Sequence, residues 1–245
     1  MRTALVVHAH PDDEVFATGA ATSALSEQGW YVVLRVATAG VGSAADHLTA
    51  SCELLGIDEW DWLGTEDQWI DDGGHAGPQT LAAAEPATIA EEIEMAVLAV
   101  EPQLLLTVGS DGLTGHPDHI AISQAVQLAL ERVHCRTLGA RLRAQDVRAG
   151  EQLLQQFVAG QPGSGRMVGC GPETPLEDLT TTRDQRRRQA MDEYYPGLGT
   201  QPLEELTKTH NPSSDGLLLR AVYDATSWQT DRFEELSASD APSSR

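Results

Sequence analysis

Two short stretches concentrate the side chains best suited to chemistry. The first is His8-Ala9-His10-Pro11-Asp12-Asp13-Glu14, and the second is His116-Pro117-Asp118-His119. Adjacent carboxylates repel and raise each other's pKa, so three in a row call for something to offset the repulsion, a cation first of all. Proline suits the first turn of a helix, where its missing N–H costs nothing. Residues three apart then share a face, which pairs His10 with Asp13 and His116 with His119. Asp12 and Asp13, being adjacent, diverge and need not do the same work. Imidazoles with one carboxylate are a good ligand set for Zn²⁺, and a catalytic zinc keeps a fourth position for water or substrate. A lone acid at such a turn would as readily serve the helix dipole, and a lone His-Pro-Asp-His would be ordinary turn chemistry. The repetition is what favours a metal site. His8 is an extra candidate, better suited to packing. His75 is the one other histidine to watch, while His47, His134 and His210 show no partner pattern.

Each motif follows an apolar run and leads into a helical pattern. "TALVVHA" reads as a strand buried on both faces. A helix is expected from Glu14 to about Gln28, stopped by Gly29, then a strand over Tyr31–Thr38. Leu48, Cys52 and Leu55 mark a helical face ended by Gly56, and "EWDWLG" a short strand. Residues 64–86 lack a period and are rich in Gly and Asp, as functional loops often are. Thr88 and Glu91 match a capping box, with Ile89, Ile93, Val97 and Val100 on one face. Residues 103–109 form another buried strand, and Ile122, Val126, Ala129, Leu130 and Val133 face one way after the second motif. Further strands are expected near 136–142 and 166–170, and a helix over 180–194. The arginines at 183, 186, 187 and 188 read as a solvated helix face with local Asp/Glu partners more readily than as an anion site.

Strands alternating with helices imply an α/β fold: a Rossmann-like, mostly parallel sheet with helices on both faces and a less regular C-terminal part. In such sheets ligands bind beyond the carboxyl ends of the strands, where two motifs distant in sequence can meet. One domain is expected over 1–236, and the tail 237–245 ("SASDAPSSR" closes it) is expected to be unfolded.

The 245 residues carry 37 acids against 16 arginines and lysines, a formal charge of −21, and Lys208 is the sole lysine. Such a surface repels nucleic acid and anionic lipid, so neither is an expected partner. Three cysteines, none close to another, make neither a disulfide framework nor a CxxC metal site. No apolar run nears the ~20 residues of a membrane span and "ALVV" is too short for a signal sequence, so a cytoplasmic protein is expected. A homo-oligomer is compatible with the sequence.

With "AHPDDEVFATGA" and "TGHPDHIAIS" in view, the chain resembles the LmbE-like, or PIG-L-like, zinc-dependent de-N-acetylases over about residues 3–133. The resemblance implies that His10, Asp13 and His119 bind zinc. It implies that Asp12 is the general base, that His116 is a general acid or oxyanion stabiliser, and that Asp118 orients His116. Glu14 would merely begin the helix. Fe²⁺ would suit the same ligands. The implied reaction is removal of an N-acetyl group from an N-acetylglucosamine-type conjugate, a small-molecule substrate.

The chain also departs from the family. Thr38-Ala39-Gly40-Val41-Gly42 replaces a Thr-Arg-Gly-Glu-like stretch, "ADHLTASCE" replaces an Arg–Glu pairing, and Thr114 stands where some members carry tyrosine. These losses put the sugar contacts in doubt and, with the negative charge, favour a neutral or cationic conjugate. They also leave room for an amidase of non-sugar N-acyl or thiol-conjugate substrates. A catalytically silent metal-binding module would need none of Asp12, His116 or Asp118. Nucleotide binding is disfavoured, because the first strand-to-helix turn has no GxGxxG.

Overall fold

A computed structural model describes residues 1–238. The region 239–245, most of the tail expected to be unfolded, lies outside the described residues. The strands are β1 Thr3–His8, β2 Tyr31–Val36, β3 Glu59–Trp62, β4 Leu104–Val108, β5 Arg136–Arg141, β6 Glu177–Thr180 and β7 Thr230–Leu236. They form one sheet in the order β3-β2-β1-β4-β5-β7-β6. The first five are parallel, with Val6 against Leu34 and Leu106, whereas β7 runs antiparallel to β5 and β6 antiparallel to β7. The strand order reverses between β1 and β4, which opens a crevice at their carboxyl ends. The two motifs leave the sheet at those two ends.

The helices among the described residues are α1 Asp13–Phe16, α2 Gly19–Glu27, α3 Ala44–Leu55, α4 Pro86–Val100, α5 Gly112–Gly115, α6 Pro117–Ala129, α7 Ala144–Leu154, α8 Asp184–Tyr194, α9 Leu203–Thr209 and α10 Asp215–Ala225. The core is the apolar set anticipated from periodicity: β1, β2 and β4 with Leu48, Cys52, Leu55, Ile89, Ile93, Val97, Ile122 and Val126. At Gly150 a Cβ would meet the backbone N of Val222 at 2.8 Å, so only glycine lets α7 and α10 approach so closely. Among the described residues no helix is long and apolar enough to cross a membrane.

Four local expectations are corrected. The helix after the first motif is two pieces. It breaks at Thr18, which is non-helical and whose hydroxyl bonds the His8 ring at 2.9 Å. The second piece is capped from far away, because Asp231 of β7 accepts the N–H groups of Ala20 and Ala21. Helix α4 begins at Pro86, ahead of the Thr88 capping box, since proline at the first position sets the start. Residues 166–170 form only one bridge, Cys170 to Arg143, and the additional strands are β6 and β7 instead.

Acidic partners accompany Arg183 and Arg188, as expected of a solvated face, with Arg188 3.7 Å from Asp184, but Arg187 departs from that reading. Arg187 is fully buried, pairs with Asp231 at 2.9 Å and lies 3.9 Å from the Tyr223 ring centroid. It donates to the carbonyls of Val15 and Phe16, which satisfies the end of α1. Arg188 lies over Trp228, and Arg183 is 3.7 Å from Glu27.

Candidate metal centre

β1 ends at His8, and the chain turns through Asp12, whose φ of 98° and ψ of −24° are left-handed. The turn is closed by Asp13, whose Oδ2 accepts the N–H of His10 at 2.9 Å. β4 ends at Val108, and its turn leads to His116, the residue that caps α6. The His116 Nδ1 accepts the N–H of Asp118 at 3.2 Å, which leaves Nε2 to carry the proton of the neutral ring.

The two turns meet. His10 Nδ1 is 3.2 Å from His119 Nε2. Asp13 Oδ1 is 3.0 Å from His119 Nε2, and Asp13 Oδ2 is 3.8 Å from His10 Nδ1. His119 donates its other nitrogen, Nδ1, to the Gly112 carbonyl at 3.0 Å, which turns Nε2 toward the cluster. The His116 ring centroid is 4.9 Å from those of both His10 and His119, and one donor atom from each of the three histidines falls within 4.8 Å of the others. His10, Asp71 and Asp118 form a second donor group on the far side of the His10 ring.

The Asp118 carboxylate faces His10 Nε2 at 3.2 Å and takes the N–H of Ala82 at 2.8 Å. Asp118 reaches His116 through its main chain, so the histidine its side chain contacts is His10, not the His116 expected from the resemblance. His8 lies behind the cluster, fully buried against Thr18, and burial pushes its pKa down to about 4. His75 is turned away, its ring bonded to the Asp72 carbonyl of its own exposed loop.

Burial alone would raise the Asp13 carboxyl, but the charge and hydrogen bond of His119, with His10, outweigh it and hold Asp13 well below the usual range. His119 answers in kind: burial would lower it, yet Asp13 lifts it to about 9. Asp12 goes the other way. Burial and then the Asp13 charge push it well up, and a hydrogen bond from Tyr195 pulls back. His116 is lowered to about 4, by burial first and then by the two neighbouring histidines.

The cluster floors a cavity of about 260 Å³. Its walls include Phe16, Leu113, Leu198, Leu217 and Leu219, and its acids are Asp12, Asp13, Asp71 and Asp215. Among the described residues, no lysine or arginine lines it. A Cβ at Gly74 would sit 2.9 Å from His116 Nε2, so the loop can pass there only as glycine.

Four participants were not legible in the sequence. Asp71 comes from the 64–86 loop and stands 3.9 Å from His10 Nε2. His210 lines the cavity from the end of α9. Tyr195 donates to Asp12 Oδ2 at 2.6 Å. Glu14 does more than begin a helix: it accepts from Ser51, Tyr194 and the N–H of Asp12.

The profile of the PIG-L family, described as GlcNAc-PI de-N-acetylase, matches residues 5–130. The chain belongs to this family, whose matched region contains both motifs. Among curated relatives, a 1D-myo-inositol 2-acetamido-2-deoxy-alpha-D-glucopyranoside deacetylase of Kineococcus radiotolerans is 34% identical over 53% of this chain and 45% of its own. The same-named protein of Thermobifida fusca is 28% identical over 74% of this chain and 76% of its own. The chain thus spans about half the length of the first of these relatives. The fold is shared with the A40926 pseudoaglycone deacetylase, at a TM-score of 0.61 and 18% identity over 96% of this chain and 97% of that one. It is shared as well with the N,N'-diacetylchitobiose deacetylase of Pyrococcus horikoshii, at 0.59 and 12% identity over 97% and 84%.

Proposed function

We propose that this protein is a metal-dependent amide hydrolase that removes an N-acetyl group from an amino-sugar conjugate of the N-acetylglucosamine type. The observation that carries the reading is the convergence of His10, Asp13 and His119, with Asp12 and His116 beside them, at the floor of one cavity. The relatives named above, all deacetylases and several of them acting on amino sugars, support it.

The donor set fits zinc. Ligand atoms around a tetrahedral Zn²⁺ lie about 3.4 Å apart, given bonds of about 2.0–2.1 Å. The three separations here are 3.0, 3.2 and 3.8 Å, with one Asp13 oxygen turned to each histidine. His10, Asp13 and His119 would hold the ion, and the Asp13 charge favours it over His116 as the third ligand. Fe²⁺ is served by the same ligand types. Zinc there would supply Lewis acidity, easing deprotonation of water and polarising the amide carbonyl.

The side chains complete the chemistry. Asp12 accepts the proton of the attacking water, with Tyr195 on its other oxygen. His116, neutral and protonated at Nε2, donates to the carbonyl oxygen as charge develops there. A ring whose pKa is about 4 is a poor proton source at neutral pH, so Asp12, protonated by then, delivers the proton to the leaving amine. Acetate and free amine result. The apolar wall and the acids suit a neutral or cationic conjugate and disfavour a phosphorylated one.

Release of free amine from N-acetylglucosamine conjugates, compared with simple N-acyl amines and thiol conjugates, tests the substrate class. Turnover confined to the simple amides would sink the sugar reading. Asp12→Asn should keep zinc and lose about 100-fold or more of the activity. Asp13→Ala should lose zinc, while His116→Ala should keep it. Equal zinc loss in all three would show the ligands misassigned.

A further inference from the structure

Two hydroxyls reach the first motif from consecutive residues at the end of α8. Tyr194 donates to Glu14 Oε1 at 2.8 Å, and Tyr195 donates to Asp12 Oδ2 at 2.6 Å. Both lie outside the region matched by the family profile. What they hold is unusual. Asp12 is a non-glycine residue at positive φ, a conformation that persists only where its surroundings over-determine it. Its N–H is donated to Glu14 Oε2 at 3.0 Å. Glu14 is fully buried and takes two more hydrogen bonds, from the hydroxyls of Ser51 and Tyr194. A buried carboxyl met by neutral donors is unfavourable by itself, as is a left-handed aspartate. The two make physical sense together, as parts that aim one side chain.

We propose that Tyr194 and Tyr195 form a clamp that positions Asp12. Tyr195 holds the carboxylate, and Tyr194, acting through Glu14, holds the backbone beneath it. The inference rests on the reading of Asp12 as the base. The bond from Tyr195 occupies Oδ2 and stops the carboxylate from swinging, which leaves Oδ1 to take a proton. The Tyr195 ring lies 6.1 Å from Phe16 and 6.4 Å from Tyr194, centroid to centroid. Helix α8 is tied to the same motif by buried Arg187, through the carbonyls of Val15 and Phe16. Tyr195 keeps 40% of its surface exposed beside the cavity, so direct contact with substrate is the competing role.

The two roles separate kinetically. Tyr195→Phe should lower kcat by about 10- to 100-fold, the scale expected for a misplaced reacting group, with KM within about twofold. Zinc content and thermal midpoint should match the parent protein. An unchanged kcat, or a raised KM with kcat intact, would overturn the clamp. In an Asp12→Asn background, adding Tyr195→Phe should cost nothing more, because its effect runs through Asp12. A further loss as large as that of the single variant would show an independent role. Tyr194→Phe should lower kcat in the same direction but by less, and a parental kcat there would remove Tyr194 from the proposal. Crystal structures of the parent and Tyr195→Phe proteins give a readout free of turnover. The Asp12 carboxylate should rotate while Asp13 and His10 stay in place; an unmoved carboxylate would overturn the proposal. A parent protein inactive on every N-acyl amine offered would count against Asp12 as base and leave this geometric test standing.

Discussion

Asp12, Asp13 and Glu14 are consecutive carboxyls with three different surroundings, and the turn at Asp12 is what separates them. Asp13 points to two histidines and is held ionised. Asp12 points to the cavity and Tyr195, and Glu14 points into the protein, where burial lifts it to about 7. The lifted His119 yields a pH prediction. Its pKa rises from 6.5 to about 9, so its pairing with Asp13 stabilises the folded chain fully below pH 6.5 and fades as pH rises through about 9. A metal must displace that proton. Zinc affinity of chelator-stripped protein should therefore rise with pH up to about 9, with close to one proton released per ion at pH 7.5. Titration calorimetry in buffers of different ionisation enthalpy would measure it, and pH-independent affinity would exclude His119 as a ligand. At this scale the candidate ligand types and the pairing of His10 with Asp13 were legible, because residues three apart come close across one tight turn as they do on a helix. The partner of Asp118 was not, because its choice of His10 over His116 depends on how two distant turns meet.

Helix α1 is a single turn and cannot hold its own shape, so its neighbours hold it. Arg187 of α8 takes its last carbonyls, Tyr223 of α10 donates to Phe16, and Asp231 of β7 caps α2 next to it. Arg187→Ala should cost about 3–5 kcal/mol, because it leaves Asp231 buried without its cation. Urea unfolding would measure this. A loss below about 1 kcal/mol would mean that water replaces the guanidinium. Apolar periodicity made β1, β2, β4, α3, α4 and α6 readable. β7 was not, because "TDRFEEL" buries an aspartate among its inward residues, and no sequence period marks an acid that caps a helix over 200 residues away.

The whole molecule carries −21 and works against its own charge when folded. Screening should relieve this: the Debye length falls from about 10 Å at 0.1 M salt to about 3 Å at 1 M. The thermal midpoint should rise as NaCl is increased over this range, and a falling midpoint would show that specific ion pairs outweigh the net repulsion. The same acidity extends into the cavity, where four aspartates and, among the described residues, no lysine or arginine shape the substrate preference proposed above. The family match covers only part of the residues around the cavity and the first motif. Residues 5–130 hold both motifs, whereas Arg187, Tyr194, Tyr195, His210 and Asp231 all come from beyond them.

The amino-acid sequence by itself determined the α/β class, the two strand-to-helix turns and the ligand chemistry they offer. Those are local properties: an apolar run, a proline at a helix start, residues three apart on one face. Tertiary structure decided what surrounds the candidate ligands. It brought β1 beside β4 so that the motifs meet, turned Asp118 to His10, carried Asp71 in on a loop without periodicity and set two tyrosines on the first motif from some 180 residues away. A hydroxyl has no spacing pattern that names its acceptor. Which carboxylate it meets is settled only when the helix that carries it packs.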